Sequence, residues 1–253
     1  MSIAYRIVAS TGLDQGDRHY QQDQVGLYPH PRHPGCVLGV VADGMGGRSG
    51  GRKASEQVLM TAQQLFERFD PNTDVPQTLL NQIALESHTV IRLTAVSAEQ
   101  EPHSTVAMFL LMPNGECAWT HSGDSRLYQF RGADVLARTR DHSFVQMLVD
   151  RGELSEEQAR DDPRSNMLLH CLGTESPPVV SQRLLGDLQP GDTLLACSDG
   201  VWHHFTDQEL GQVTSRLAPR TACEFLVGKA RERAEGRGDN LSLIVLRLEP
   251  LPT

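Results

Sequence analysis

No apolar run in this chain approaches the about 20 residues that a membrane-spanning helix needs; stretches such as VAMFLLM at 106–112 stop far short. Positive charge is also scarce. Lys and Arg number 23 against 32 Asp and Glu, a net charge of −9, which argues against nucleic acid or an anionic membrane as a partner. The five cysteines, at 36, 117, 171, 197 and 223, are scattered and form no CxxC pair. That excludes a disulfide framework and a thiolate zinc site, and it reads as reduced, buried thiols of a cytoplasmic protein. The start, MSIAYRIVAS, lacks the basic-then-apolar pattern of a signal peptide, giving the same expectation of location. Repeats, low-complexity tracts and Pro/Gly/Ser linkers are missing too, so residues 1–253 are expected to form one domain.

Strand-like runs are present at about 3–11, 36–42, 104–112, 116–122, 125–131, 134–139, 179–185, 193–198 and 240–248. Asn114-Gly115 and Arg131-Gly132 mark two hairpin turns. Helical stripes run through Ala54, Val58, Ala62, Leu65 and Phe69, and through Leu80, Ile83, Ala84, Ser87, Val90, Ile91 and Thr94. A third amphipathic stretch spans Thr221 to Arg233. Strands come in runs and helices in pairs, which predicts an α+β fold and not a βαβ nucleotide-binding sheet. The charged, short-helical segment at about 142–181 reads as a surface insert.

One string stands apart. In VVADGMGGRSGG (40–51) a hydrophobic run stops at Asp43 and five glycines crowd the next eight positions. The pattern recurs: Asp199-Gly200 follows TLLACS, Asp124 follows CAWTHSG, and Gly238-Asp239 precedes NLSLIVL. Any single Asp-Gly at a strand end is explained by turn formation. Four make a shared site the better reading. Clustered carboxylates raise one another's pKa unless cations neutralise them, and oxygen-only donors suit hard ions, Mg²⁺ or Mn²⁺. A glycine after the aspartate lets a backbone carbonyl join the coordination shell.

The rival readings each lack a part. A Walker A loop is missing, and a dinucleotide fingerprint starting at Gly44 meets Ser49 where its third glycine belongs. GRSGG fits a nucleophile elbow with Ser49, but an elbow serine follows its strand directly, whereas residues 43–48 intervene here.

At these residues the chain resembles the metal-dependent protein phosphatases, the type 2C Ser/Thr family, and its bacterial members above all. GDRHYQQD (16–23), VVADGMGGRSGG (40–51), HSGDSRLY (121–128), LARTRDHSFV (136–145), NMLLHCLG (166–173), LLACSDGVW (194–202) and GRGDNLSLIVL (236–246) match in order. Each is weak alone; seven in order are specific. The resemblance implies a four-layer α-β-β-α sandwich, two packed antiparallel sheets flanked by helices, with the insert at about 142–181 as a helical flap beside the site.

It also implies hydrolysis of phosphoserine and phosphothreonine by a metal-bridging water, without a covalent intermediate. Two cations roughly 3.5–4 Å apart offset the charge of a phosphate dianion and acidify water. Carried over by position, Asp43 bridges both Mn²⁺ or Mg²⁺ ions and the Gly44 carbonyl binds one. Asp199 and Asp239 hold the other, and Asp124 with Asp199 matches a third, weaker position. Arg18 grips the phosphate with its planar fork, against the plain alternative of a surface ion pair. Asp23 orients metal-bound water. The implied partners are phosphorylated proteins, substrates of a Ser/Thr kinase, and the implied state is a monomer.

His142 reads as a capping or packing residue and the pair His203-His204 as core or surface histidines, not ligands. Two departures matter: Gln21 stands where Asn is usual and Gln22 where many relatives have Glu. Gln22 is the sole sequence support for a different reading, a pseudophosphatase that binds without turnover.

Overall fold

The computed structural model describes residues 5–98, 101–186 and 188–251. In chain order the first part holds β1 (Tyr5–Asp14), β2 (Gln24–Pro29), β3 (Val37–Ala42), β4 (Gly44–Met45), α1 (Gly47–Phe66) and α2 (Pro76–Ala98). Next come β5 (His103–Ser104), β6 (Val106–Leu111), β7 (Cys117–Ser122), β8 (Arg126–Arg131) and β9 (Asp134–Arg138). The insert carries α3 (Phe144–Asp150) and α4 (Glu156–Arg160). After it follow β10 (Ser181–Leu185), β11 (Asp192–Cys197), α5 (Asp199–Trp202), α6 (Asp207–Arg216), α7 (Pro219–Ala234) and β12 (Leu241–Pro250).

Two five-stranded antiparallel sheets form the centre, with orders β1-β12-β11-β8-β9 and β10-β7-β6-β3-β2. Strands buried on both faces carry continuous apolar runs instead of alternating ones. In β6, for instance, Ala107, Phe109 and Leu111 face the other sheet, packing with Val41, Trp119, Leu194 and Ile244. Met108 and Leu110 face outward against Val58, Ala62, Leu80 and Ile83 of α1 and α2. On the opposite side, Tyr128, Phe130, Leu195 and Val245 pack under α5, α6 and α7 through Val201, Leu210 and Leu226. The layers are therefore helix, sheet, sheet, helix, the expected sandwich.

The topology gathers the aspartates. β3 and β7 each pair antiparallel with β6, so they run parallel, with residues 41, 107 and 121 at one level. Asp43 and Asp124 thus leave the same end of one sheet. In the other sheet Cys197 lies opposite Leu243, which brings the C-terminal end of β11 beside the N-terminal end of β12. Asp199 and Asp239 follow from that pairing.

Both predicted hairpin turns occur, between β6 and β7 and between β8 and β9, the second with a bulge at Gln129/Phe130. The strand β2, the short β4–β5 pair and helices α5 and α6 are additions to the sequence reading. Phe69 is buried but lies beyond the end of α1, and Thr94 is an exposed residue of α2. All five cysteines are free and buried, and among the described residues no helix is long and apolar enough to cross a membrane.

Candidate active site

A cleft of about 270 Å³ opens at this shared end, lined by Asp43, Asp124, Asp199 and Asp239 together with Arg18 and Gln22. Gly44, Met45, Gly46, Asn166, Leu168 and Asn240 complete its wall. The structure thus brings together six of the seven site residues expected from sequence. Asp23 is the exception: it is 1% exposed and sits behind Asp43, outside the cleft lining. Ser242 Oγ donates to Asp23 Oδ2 at 2.7 Å, and Ser198 and Asp43 also bond to its carboxyl. This position lets Asp23 hold the Asp43 carboxylate from behind.

Local structure explains each placement. The Asp43 amide donates to Thr105 Oγ1 at 3.1 Å and its carbonyl accepts from Thr105 N at 2.8 Å. Thr105 is in turn bonded to Ser125 at 2.7 Å, beside Asp124. Glycine is required at 44, because a Cβ there would meet Gly51 O at 2.1 Å and Gln22 O at 2.7 Å. Gly46, at φ 118°, adopts a backbone closed to other residues as the chain turns into α1. Asn240 ties the N-terminal loop to β12: its amide donates to Gln15 O and Tyr20 O, and its Oδ1 accepts from Gln22 N at 2.8 Å.

Four carboxylates in one cleft carry an electrostatic load. Burial first, and then the charges of Asp23, Asp199, Asp124 and Asp239, push Asp43 well above the usual carboxylate range. Burial and the charges of Asp124, Asp239 and Asp23 do the same to Asp199. Burial raises Asp23 to about 6, partly offset by its hydrogen bonds from Ser198 and Ser242. Burial, then the Asp141 charge, lifts Asp124 to about 7. Such a set is stabilised by cations.

One cation is already present. Arg18 Nη2 lies 2.5 Å from Asp239 Oδ2, an exposed guanidinium bonded to a half-exposed carboxylate, and this bond raises the Arg18 pKa. The ion pair is the alternative that sequence reasoning weighed against phosphate binding, yet it also puts Arg18 on the cleft wall.

The residues fit hard divalent ions. Asp199 Oδ1 is buried and has no hydrogen-bond partner among the described residues, a costly state for a carboxylate oxygen unless an ion takes it. The donor set is carboxylate and carbonyl oxygen only, the chemistry of Mg²⁺ and Mn²⁺. Among the described residues no three His, Cys, Asp or Glu side chains form a finished ligand cage, so the fit rests on donor chemistry. Gln22 does not present a free amide: its Nε2 donates to Gly47 O at 2.7 Å. Gln21 bonds Asp14 O and accepts from Asp23 N, a frame role away from the cleft.

The histidines set aside in the sequence stay outside the cleft wall. His142 pins the base of the insert, with Nε2 2.9 Å from Ser181 Oγ, and burial lowers it to about 3. His203 faces a different cavity of about 440 Å³ under α3 and α4. Ser49 belongs to the first turn of α1 and not to a strand-to-helix elbow; its side chain lies outside the described residues.

Sequence reasoning missed Asn240, Asn166, Leu168 and Trp202. Trp202 Nε1 donates to Asp124 O at 2.9 Å. Over its ring, at 3.4 Å, lies the Arg126 guanidinium, which bonds Asp141 at 2.9 and 2.7 Å. Asn166 and Leu168 carry the insert to the cleft, and Leu168 bridges to Ser143 at the insert's base.

Comparison with known proteins places the family and the fold. The family model described as protein phosphatase 2C matches residues 15–235. The serine/threonine phosphatase stp of Listeria monocytogenes is 28% identical over 233 residues, covering 90% of each chain. The crystal structure of the Mycobacterium tuberculosis serine/threonine phosphatase PstP/Ppp superposes with a TM-score of 0.83 at 25% identity, over 96% of this chain and 99% of that one. A structure of the PstP catalytic domain in complex with two manganese ions gives 0.80 at 25% identity, over 96% and 100%.

Proposed function

The chain belongs to the protein phosphatase 2C family, and from that premise we propose that the four-aspartate cleft is its catalytic site. The protein is a metal-dependent protein Ser/Thr phosphatase. The observation that carries the site assignment is the buried, partnerless Oδ1 of Asp199 beside Asp43. A pseudophosphatase reading is not supported, since all four carboxylates are retained in a family of phosphatases.

In this proposal Asp43, Asp199 and Asp239 hold the ions with the Gly44 carbonyl, and Asp124 serves a third, weaker position. Mn²⁺ is the expected ion, with Mg²⁺ as the alternative of the same hard class. When bound, the ions neutralise the phosphate dianion and supply acidified water. The chain's own residues do the rest. Asp23, fixed by Ser198 and Ser242, holds the Asp43 carboxylate in orientation. Arg18, on the cleft rim, exchanges its bond to Asp239 for the phosphate oxygens, which its fork suits better than a single carboxylate oxygen. The segment at about 142–181 acts as a flap whose Asn166 and Leu168 meet the substrate.

The substrates are phosphoproteins, and the reading includes a Ser/Thr kinase as counterpart and a monomeric enzyme that binds neither nucleic acid nor membrane. Five free, buried cysteines favour a reducing, cytoplasmic setting. The test is release of inorganic phosphate from phosphoserine and phosphothreonine peptides with Mn²⁺. Release should stop with a chelator and ignore a serine-directed fluorophosphonate. Release that persists in chelator, or labelling of Ser49 with loss of activity, would overturn the reading.

A further inference from the structure

Beside the catalytic cleft lies a second cavity of about 450 Å³, lined by His19, Tyr20, Gln21, Arg52, Lys53 and Glu56 among others. Its residues 19–21 fill the chain between Arg18 and Gln22, both of which line the cleft, so the two share a wall. That wall is stiff. Gln22 Nε2 donates to Gly47 O at 2.7 Å, and Ser55 Oγ donates to Gln22 O at 2.5 Å, fastening the cleft to α1.

The shelf carries two cations and one acid on α1. The 20-residue helix α1 begins at Gly47 with no side-chain cap and no acid in its first turn. Arg52 and Lys53 follow in the second turn, ahead of the first acid, Glu56. The helix dipole acts within the first turn only, so these two cations neither gain nor lose by it, and their use lies in what they pair with. Arg52 Nε finds Glu56 Oε1 at 2.7 Å. Lys53, exposed, has no hydrogen bond or ion pair among the described residues. Tyr20, 48% exposed, adds an aromatic surface beside it. With Arg52 neutralised by Glu56, Lys53 leaves this shelf one net positive charge in a chain of net charge −9.

We propose that this shelf docks acidic side chains flanking the phosphorylated residue, so that the preferred substrates are acidic phosphopeptides. Lys53 is the principal contact and Arg52 its neighbour. The proposal rests on the phosphatase reading and names a substrate class within it. Steering by a rim charge acts on encounter and binding and leaves the chemical step alone.

The test compares two phosphothreonine peptides, one with glutamates and one with glutamines on both flanks, using the wild type, Lys53→Glu and Lys53→Ala with Mn²⁺. p-Nitrophenyl phosphate, too small to reach the shelf, is the control. The wild type should favour the acidic peptide in KM. Lys53→Glu should raise that KM about two- to fivefold, a size in line with exposed charge pairs, with kcat, the neutral peptide and the control nearly unchanged. Raised salt should erase the preference. Equal KM values for the two peptides in the wild type, or a preference that survives Lys53→Glu, would overturn the proposal. So would loss of the control activity in Lys53→Ala, which would put Lys53 in the catalytic frame. Failure of the wild type on all three substrates would instead refute the phosphatase reading.

Discussion

Arg18 Nη2 bonds Asp239 Oδ2 at 2.5 Å, joining the expected phosphate-binding cation to an expected metal ligand. Arg18→Ala should therefore raise KM for p-nitrophenyl phosphate by about tenfold or more, a magnitude in line with losing a charge-assisted hydrogen bond. It should also leave the Mn²⁺ activation midpoint unchanged or lower, because Asp239 loses a competitor. Steady-state kinetics across a metal series separates the two effects. An unchanged KM with a raised midpoint would make Arg18 a brace for Asp239 and nothing more.

The bond from Gln22 Nε2 to Gly47 O explains why an amide is accommodated at this position. Gln22→Glu removes that donor and sets a carboxylate against a carbonyl. The metal-free protein should lose about 1 kcal/mol, while the added charge should lower the Mn²⁺ activation midpoint with little change in kcat at saturation. Differential scanning of the stripped protein and a metal series measure these separately. A raised midpoint would mean that residue 22 does not face an ion.

Asp23 and Asp124, together with the more strongly raised Asp43 and Asp199, contribute to the pH dependence of the metal-free protein. Burial raises Asp23 and Asp124 to about 6 and about 7, so the folded state keeps protons that the unfolded chain releases near pH 4. Their contribution is fully present below pH 4 and lost as pH rises through 6 and 7. Melting of the stripped protein between pH 5 and 8 should show stability falling with pH, with a shallower fall in Asp124→Asn. Mn²⁺ should reverse the trend. A slope that Asp124→Asn leaves untouched would contradict the assignment.

The buried pair Arg126–Asp141, stacked on Trp202, anchors the strand that follows Asp124 to the base of the insert. Asp141→Asn leaves a buried guanidinium half-satisfied and should cost about 3 kcal/mol or more. For a chain of this length that is a fall in Tm of roughly 6 to 12 °C. Thermal melting with saturating Mn²⁺ checks it; a fall below about 2 °C would show the pair to be dispensable.

Much of this was legible in the sequence for a physical reason. Strands buried on both faces favour continuous apolar runs; β3 and β6 supply them, and β7 and β11 carry shorter ones, CAW and LLAC. The aspartates stand out because each lies beside a glycine at the end of a strand. What stayed hidden is as instructive. β2 is only half-buried and its apolar residues, Val25 and Leu27, are separated by a glycine, so no run forms. Helix α6 was missed although Thr206 and Glu209 form a readable capping box. Asn166, Leu168 and Trp202 reach the site from other elements, which spacing along the chain cannot express. The water-orienting role of Asp23 came from the family resemblance alone; its burial behind Asp43, held by Ser198 and Ser242 far away in the chain, is not expressed in the sequence around it.

The central claim is that these carboxylates hold divalent ions through Asp199, whose buried Oδ1 lacks a partner. The most direct test is calorimetric titration of chelator-stripped protein with Mn²⁺, wild type against Asp199→Asn, with circular dichroism to verify the fold. The account predicts two or more ions bound by the wild type and at least one fewer, or about a hundredfold weaker, in the variant. It also predicts an equal or higher melting temperature for the stripped variant, since a repelling charge is gone. Mn²⁺ binding by folded Asp199→Asn with wild-type stoichiometry and affinity would contradict it.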